Sequence, residues 1–277
     1  MSWEEIIAAS AGEYSVYCRV AGTSVSLMHR ANIEVESAST IKLPILLALL
    51  DAAQHKEISM RKRIDLKRSH VGRGGSGLLQ SMYFNTPFTL YNLAFLMMAV
   101  SDNVATNAII ELLGKDAINT YFSGKLKLKT TRLVMDKLDF PAGYTVVDGP
   151  NLGLTTAGEM GALVHRLTDM QLLDPYFTRL TQRFMAQVQR STFNRRLPAK
   201  AIRRFGSKTG WLDPAPGQTA ILNECGYIVA SSRRQYSFAI MSRSPLDLEL
   251  PYSQDSTARA EFAVLSRALF DALESAK

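Results

Sequence analysis

The pattern of apolar and polar positions predicts strands at both ends of the chain and helices between them. Strand-like runs at 15–20 and 24–28 indicate a hairpin, and further runs cover 202–210, 219–230 and 236–242. Strands gathered from both chain ends are typical of one antiparallel sheet with helices packed around it, which is an α+β fold. Apolar positions three and four residues apart predict helices, which cover 2–10, 39–55, 89–113 with a break at 101–103, 116–123, 155–170, 175–190 and 256–275.

The order of these elements predicts how the chain is organised. With 277 residues it is long enough to bury a large core. The sheet and its flanking helices are expected from residues 1–55 and 195–277, and an all-helical part from 56–194. Between 130 and 154 the chain is irregular and rich in proline and glycine. A loop of this length within a compact domain is usually functional.

Composition and charge narrow the class of protein. Hydrophobic residues make up 47% of the chain and charged residues 21%, as in an ordinary soluble enzyme. The net charge of +7 does not predict a nucleic-acid partner, because the one dense basic run, Arg61–Arg63 with Lys67 and Arg68, is short. The longest apolar stretch, Leu43–Leu50, is too short to span a bilayer, so no membrane partner is expected. The acidic opening, Met1–Glu5, does not have the pattern of a secretory leader, and a cytoplasmic location is expected.

The cysteines and histidines imply neither a cofactor nor a metal. Cys18 and Cys225 lie far apart in strand-like runs; they allow one bridge, but two buried free thiols are the expected state. The four histidines show no ligand spacing among themselves. The expected partner is a small-molecule substrate, and the sequence leaves the oligomeric state open.

The stretch Ala38–Leu50 places a serine and a lysine at the head of a long apolar run. In a helix, positions i and i+3 share a face, so the ammonium of Lys42 is expected beside the hydroxyl of Ser39. Ser39 then lies in the first turn, where free backbone N–H groups and the helix dipole favour negative charge. A nucleophilic serine needs an adjacent base, and burial lowers the pKa of a lysine toward that role. Ser-x-x-Lys is short and common, so alone it also fits a buried helix without catalytic function.

A second polar motif, Ser101-Asp102-Asn103, interrupts a helical pattern at a place where side chains can point into a cleft. The Ser101 hydroxyl is suited to return a proton to a leaving nitrogen, and the Asn103 amide to bind Lys42 and a substrate carbonyl. The same triplet also fits an ordinary helix N-cap. The glycine cluster at 72–77 does not have the pattern of a phosphate loop, so a flexible loop is predicted there.

A third motif, Lys208-Thr209-Gly210, ends a strand-like run. Lys208 and Thr209 are suited to hold a substrate carboxylate. The backbone N–H of Trp211, directly after Gly210, is suited to complete an oxyanion hole. Alone, this tripeptide also fits an ordinary turn.

Taken in order, the three motifs resemble the signature set of class A β-lactamases and penicillin-binding proteins. The resemblance to class A covers nearly the whole chain. It implies a β-lactamase/transpeptidase-like fold, with an antiparallel sheet from N- and C-terminal strands flanked by helices, plus an all-helical subdomain. Beyond the motifs it rests on the opening hairpin, the helix start Thr155–Met160, Leu197-Pro198 and the stretch Asn223–Ile228.

The resemblance implies a role for each motif residue. Ser39 is the expected nucleophile, with Lys42 as its base or proton shuttle and Ser101 as the proton relay to the leaving nitrogen. The backbone N–H groups of Ser39 and Trp211 are the expected oxyanion donors, and Asp102 is expected to hold the loop. The residues expected to bind the substrate are Asn103, Lys208, Thr209, Gly210 and Trp211.

The chain departs from class A where that family carries a glutamate that activates the deacylating water. Counting on from Thr131–Leu133 without a gap places Lys137 at that position, and no glutamate occurs between residues 116 and 156. Asp136 and Asp139 are the candidate replacements, although aspartate is one methylene shorter. The sequence thus predicts acyl-enzyme formation but not efficient β-lactam turnover.

The leading hypothesis is a serine acyl-hydrolase that cleaves a β-lactam or a related carboxylate-bearing amide or ester through acyl-Ser39. One alternative is a D-amino-acid peptidase or esterase with the same motifs. The other is a protein that becomes acylated without turnover and serves as a sensor. Trp211 stands where the family has a small or hydroxyl residue, and its indole is expected either to stack on an acyl group or to turn into the core.

Overall fold

Strands from both chain ends form one five-stranded antiparallel sheet, which confirms the predicted α+β fold. The structure is a computed structural model that describes residues 1–82, 87–140, 152–212, 219–245 and 257–276. The strands are β1 (Glu13–Val20), β2 (Ser26–His29), β3 (Val35–Glu36), β4 (Arg63–Ile64), β5 (Phe88–Thr89), β6 (Arg132–Leu133), β7 (Gly153–Thr155), β8 (Ile202–Leu212), β9 (Thr219–Ala230) and β10 (Gln235–Pro245). The large sheet has the order β2-β1-β10-β9-β8, so the N-terminal hairpin joins the C-terminal meander along β10.

The helices follow the predicted pattern, with shifts at their ends. The predicted break at 101–103 separates two helices, and the Gln189 N–H donates to the Ala99 carbonyl, so the chain has left the helix predicted for 175–190 by that point. The helices are α1 (Trp3–Ala9), α2 (Lys42–Gln54), α3 (Leu90–Ala99), α4 (Asn103–Leu113), α5 (Lys115–Gly124), α6 (Ala157–Thr168), α7 (Pro175–Met185) and α8 (Thr257–Ser275).

Helices cover both faces of the large sheet. Helix α6 packs against β1, β9 and β10 on one face, while α8, with α1 beside it, covers the other. Both faces are therefore buried, and the strands lack a simple inside–outside alternation; β1 is buried at nearly every position. Cys18 lies in the core under α8 and Cys225 in the core on the opposite face, and both are free thiols, as predicted.

Helix α2 runs through the middle of the helical part of the molecule. Its residues from Lys42 to Asp51 are all buried, which explains why the sequence reads as a continuous apolar run rather than an amphipathic stripe. A buried helix of this kind gives the residues at its start a fixed position. Among the residues that the structure describes, no helix is long and apolar enough to cross a membrane.

A small sheet in the order β3-β7-β6 lies beside the start of α2. The sequence predicted an irregular loop from 130 to 154, and this sheet shows that both ends of that loop are paired strands. Residues 141–151 of the predicted loop lie outside the described residues. Strand β3 leads directly into the turn that carries Ser39. The division into a sheet part and a helical part at residues 56 and 194 stays a prediction.

Candidate active site

The predicted nucleophile lies in a tight 3-10 turn, Ala38–Ile41, rather than in the α-helix that follows it. Ala38 is fully buried and has a φ of 45°, a left-handed conformation that is strained for a residue with a side chain. Gly210 of β8 packs against this turn, since a Cβ there would lie 3.0 Å from the backbone nitrogen of Ser39. The half-buried Ser39 is thus held against β8 at a point that leaves no room for a side chain on the strand.

Lys42 is fully buried, and its Nζ lies among three oxygen acceptors. It donates to the Ser101 carbonyl at 2.8 Å, to the Ser101 Oγ at 3.1 Å and to the Asn103 Oδ1 at 2.6 Å. Burial, followed by the charge of Lys208, holds the pKa of Lys42 well below its usual value. The Ser39 hydroxyl makes no hydrogen bond to any other residue in the described part of the chain. The neutral amine that this shift favours can donate to only two of the three oxygens, so its lone pair can accept a proton, and the serine hydroxyl is free to move toward it.

The Ser101 hydroxyl joins the two motif lysines. Its Oγ lies 3.1 Å from the Nζ of Lys42 and 3.2 Å from the Nζ of Lys208. Lys208 also donates to the Thr209 carbonyl at 2.7 Å, and burial lowers its pKa to about 8. The structure thus brings residues of all three motifs into one cluster, and a single hydroxyl connects the two lysines.

The resemblance implied a structural role for Asp102, and in the structure its carboxylate holds the end of the glycine loop, a contact that the sequence did not predict. Its Oδ1 accepts the Ala105 N–H at 3.0 Å and so caps α4. Its Oδ2 accepts the N–H groups of Leu78 and Leu79 at 2.7 and 2.9 Å. The segment from Gly72 to Gly77 is therefore fastened to the start of α4 and is part of the site.

Asn103 lies directly beneath this glycine loop. Its backbone N–H donates to the Ser76 carbonyl at 2.9 Å, and its Oδ1 accepts from Lys42. A Cβ at Gly75 would lie 2.1 Å from the Asn103 Nδ2, and the φ of Gly75 is 88°. Only glycine fits at this position, because both the backbone conformation and the space exclude a side chain. Sequence reasoning predicted a flexible loop here and missed its contact with Asn103.

Thr209 and Trp211 occupy the edge strand of the large sheet. Thr209 is half-buried, one residue after Lys208. The Trp211 indole packs against the core cluster beneath α8, and the Arg259 guanidinium lies 4.5 Å from its ring centroid. Of the two orientations predicted for Trp211, this arrangement favours the indole that turns toward the core.

The two aspartates proposed as deacylation bases both form ion pairs with cations. Asp136 is largely exposed and lies 3.0 Å from the Lys115 Nζ. Asp139 accepts from the backbone N–H and the guanidinium of Arg73, and these hydrogen bonds lower its pKa to about 2. A carboxylate held in this way is a weak base. The catalytic roles of Asp136 and Asp139 stay predictions.

Lys137, which the sequence count places where class A has its glutamate, lies next to a buried leucine. The side chain of Leu138 is buried, whereas that of Lys137 is not. Asn107 of α4 holds the backbone of Leu138, since its Oδ1 accepts the Leu138 N–H at 2.7 Å and its Nδ2 donates to the Leu138 carbonyl at 3.1 Å. The sequence gave no signal for this clamp, because Asn107 has the appearance of an ordinary polar helix residue.

Two buried carboxylates near the motifs were also missed as parts of the site. Glu224 on β9 accepts from the Ser207 Oγ at 2.6 Å and from the Ser191 Oγ at 2.5 Å, beside Lys208. Glu36 is buried three residues before Ser39. The available signal was a lone glutamate within a strand-like or buried stretch, which is rare unless its carboxylate has partners.

Comparison with known protein families identifies this arrangement. The profile of the beta-lactamase enzyme family matches residues 2–273. The chain therefore belongs to that family, and it is a serine hydrolase of the class A β-lactamase type. Comparison with curated proteins found no match.

Solved structures share the fold along the whole chain. A beta-lactamase from Sphaerobacter thermophilus DSM 20745 has a TM-score of 0.80 at 24% identity, with 98% of this chain and 97% of that one covered. A class A beta-lactamase from Mycobacterium abscessus has a TM-score of 0.78 at 19% identity, covering 99% and 98%. PBP-A has a TM-score of 0.78 at 20% identity, covering 99% and 94%. At these identities the likeness shows the fold.

Proposed function

We propose that the protein cleaves a β-lactam, or a related carboxylate-bearing amide or ester, through an acyl-Ser39 intermediate. The observation that carries this proposal is the Ser101 hydroxyl, which lies within hydrogen-bond distance of both buried lysines. Such a cluster supplies a base, a proton path and a cation for a substrate carboxylate in one place.

Acylation requires a proton to leave the nucleophile and reach the leaving nitrogen. Lys42, as a neutral amine, takes the hydroxyl proton of Ser39 while the Oγ–carbonyl carbon bond forms. The proton then passes through the Ser101 hydroxyl to the nitrogen as the C–N bond breaks. The N–H groups of Ser39 and Trp211 are proposed to bind the oxyanion, and removing one such donor typically costs roughly 10²–10³ in rate.

Substrate binding is proposed to use the far side of the same cluster. The charged form of Lys208, with the hydroxyl of Thr209, holds the substrate carboxylate. The Asn103 Nδ2 donates to a substrate carbonyl, while its Oδ1 accepts from Lys42. Gly210 allows the acyl group to lie close to the strand, since it carries no side chain toward the turn of Ser39.

The first experiment is a time course with a chromogenic cephalosporin, with intact-protein mass spectrometry on the same sample. Steady turnover with little adduct is expected if Asp136 or Asp139 activates the deacylating water. Asp136→Asn and Asp139→Asn are then compared, and the variant that accumulates adduct identifies the base. Ser39→Ala is the control, and turnover of acylating substrates that survives this change contradicts the proposal.

A protein that is acylated without turnover is the second candidate function. The ion pairs Lys115–Asp136 and Arg73–Asp139 favour it, because each candidate base already has a cation as its partner. A single burst that leaves a stable adduct on Ser39 supports this candidate, and sustained turnover contradicts it. One solved relative, a PBP-A mutant, is described as an acyl-enzyme complex with penicillin-G.

A D-amino-acid peptidase or esterase stays the third candidate. Comparing turnover of D-Ala-D-Ala peptides with turnover of a cephalosporin separates it from a β-lactamase. A cytoplasmic location, and the absence of nucleic-acid and membrane partners, also remain predictions.

A further inference from the structure

A buried carboxylate lies beside the turn that carries the nucleophile. Glu36 is the last residue of β3, and 6% of its surface is exposed. Its Oε1 accepts the Ala38 N–H at 2.9 Å, and its Oε2 accepts the Leu152 N–H at 3.1 Å. The Gly153 N–H lies 3.4 Å from the Oε1. One carboxylate therefore binds backbone donors from two separate segments, the nucleophile turn and the start of β7.

The N–H group that Glu36 binds belongs to Ala38, the residue of the turn with a strained backbone conformation. Ala38 has a left-handed φ of 45°, and such a conformation persists only where its surroundings hold it. The next residue is Ser39, whose backbone nitrogen lies against Gly210 on the opposite side. A shift at Ala38 therefore moves the Ser39 N–H relative to β8.

The other contacts of the turn also lead to the small sheet. The Ser37 N–H donates to the Gly153 carbonyl at 2.8 Å. The Asn223 Nδ2 of β9 donates to the Glu36 carbonyl at 2.8 Å, so the main chain of Glu36 is fixed from the large sheet as well. Among the residues that the structure describes, the carboxylate is thus the one group that connects β7 to the Ala38 N–H, next to the nucleophile.

The groups that act on Glu36 are hydrogen-bond donors rather than cations. Burial raises its pKa to about 7, and the N–H groups of Ala38, Gly153 and Leu152 and the Ser37 hydroxyl oppose that rise. The charged residues on the neighbouring strands have other partners. Arg132 on β6 binds Glu34, and Glu224 on β9 binds two serine hydroxyls.

We propose that Glu36 is a positioning residue for acylation: its ionised carboxylate holds the Ala38 N–H and so fixes the Ser39 N–H at the oxyanion site. This inference rests on the proposed function. An ionised carboxylate accepts on both oxygens, so it satisfies Ala38 and the two donors of β7 together. Protonation replaces one acceptor site with a donor and leaves a buried N–H without a partner, which relaxes the turn.

The kinetic test compares the wild type, Glu36→Gln and the matched control Glu34→Gln. The acylation rate constant with the chromogenic cephalosporin is followed by adduct formation from pH 5.5 to 8.5. The ratio of wild type to Glu36→Gln is expected to rise roughly tenfold with pH, with a midpoint about 7. Titration of Lys42 cancels in this ratio, because the charges that act on Lys42 are those of Lys208 and Asp102. The ratio for Glu34→Gln is expected to stay flat.

A ratio that stays constant across the pH interval in which the Ala38 amide titrates overturns the proposal, since a merely structural glutamate lowers both ends of the profile equally. A second measurement does not depend on activity or on a folded variant. In the wild type, the amide NMR resonance of Ala38 is expected to titrate with a midpoint about 7. An Ala38 resonance that does not respond to the ionisation of Glu36 overturns the proposal, because the carboxylate then does not hold this N–H. If the wild type forms no adduct, the proposed function fails, and the amide titration still decides the role of Glu36.

Discussion

At the scale of single residues, burial sets the chemistry of the two motif lysines. Lys208 has a pKa of about 8, because burial disfavours its ammonium form. The charged form is the one that binds a substrate carboxylate, so KM is expected to rise as pH increases from about 7 to 9. Below about pH 7 the lysine is almost fully protonated, so KM is expected to be constant there. The measurement is KM and kcat against pH with the chromogenic cephalosporin.

Lys208→Arg supplies the control for this prediction. A guanidinium remains charged throughout this range, so the rise in KM is expected to disappear in the variant. A KM that rises equally in both proteins shows that another group binds the carboxylate. The change in kcat is a separate observable, because Lys208 also contacts the relay hydroxyl of Ser101.

At the scale of elements, the glycine loop illustrates how backbone conformation shapes the site. Gly75→Ala places a Cβ 2.1 Å from the Asn103 Nδ2, at a φ of 88°. The Asn103 amide must then move, and with it an acceptor of Lys42. The acylation rate is expected to fall by roughly tenfold or more, because small misplacements of binding groups reduce rates strongly.

Gly22→Ala is the matched control for the loop. Gly22 also has a positive φ, 71°, but nothing lies within 4 Å of a Cβ there. Both substitutions are expected to destabilise the fold by about 1 kcal/mol through backbone strain, as measured by chemical denaturation. Only Gly75→Ala is expected to slow acylation. Equal acylation rates in the two variants mean that the loop does not position Asn103.

At the scale of the whole molecule, periodicity predicted the elements that bury large surfaces. The hairpin, the C-terminal meander and the long helices all follow from apolar spacing in the sequence. The two-residue strands β3, β4, β5 and β6 were missed, because pairing of so few residues leaves no period in the sequence. The helix start at Thr156 was found, but the sequence gave no signal that the Glu159 carboxylate accepts hydrogen bonds from Thr131 and the two residues before it.

Of the candidate site, only the motif residues could be predicted from the sequence. Ser39, Ser101 and Lys208 were identified by residue type and order, and in the structure the Ser101 hydroxyl contacts both Lys208 and Lys42. Long-range contacts such as Glu36 with Leu152 join segments more than a hundred residues apart, and no local pattern encodes them. These contacts depend on the packing of the sheets, which the sequence does not specify position by position.

The same buried carboxylate links activity to the stability of the whole fold. The pKa of Glu36 is raised from 4.5 to about 7, so the folded state binds a proton more tightly than the unfolded chain. Stability is therefore greatest below the unfolded pKa and is expected to fall as pH rises from about 4.5 to 7, by about 3 kcal/mol from this group. The test is the free energy of unfolding at pH 5 to 8 for the wild type and Glu36→Gln.

The difference between those two proteins isolates Glu36, since the other titrating groups are common to both. As pH rises, the free energy of unfolding of the wild type is expected to fall relative to that of Glu36→Gln, and the difference is expected to level off above pH 8. A constant difference contradicts the raised pKa. Because acylation is expected to increase over the same interval, the ionised Glu36 is a case in which a desolvated group favours catalysis and lowers stability together. Ionisation of Glu36 then accounts for the pH dependence of both the acylation rate and the free energy of unfolding. If only one of these two quantities changes with pH, they do not share this cause.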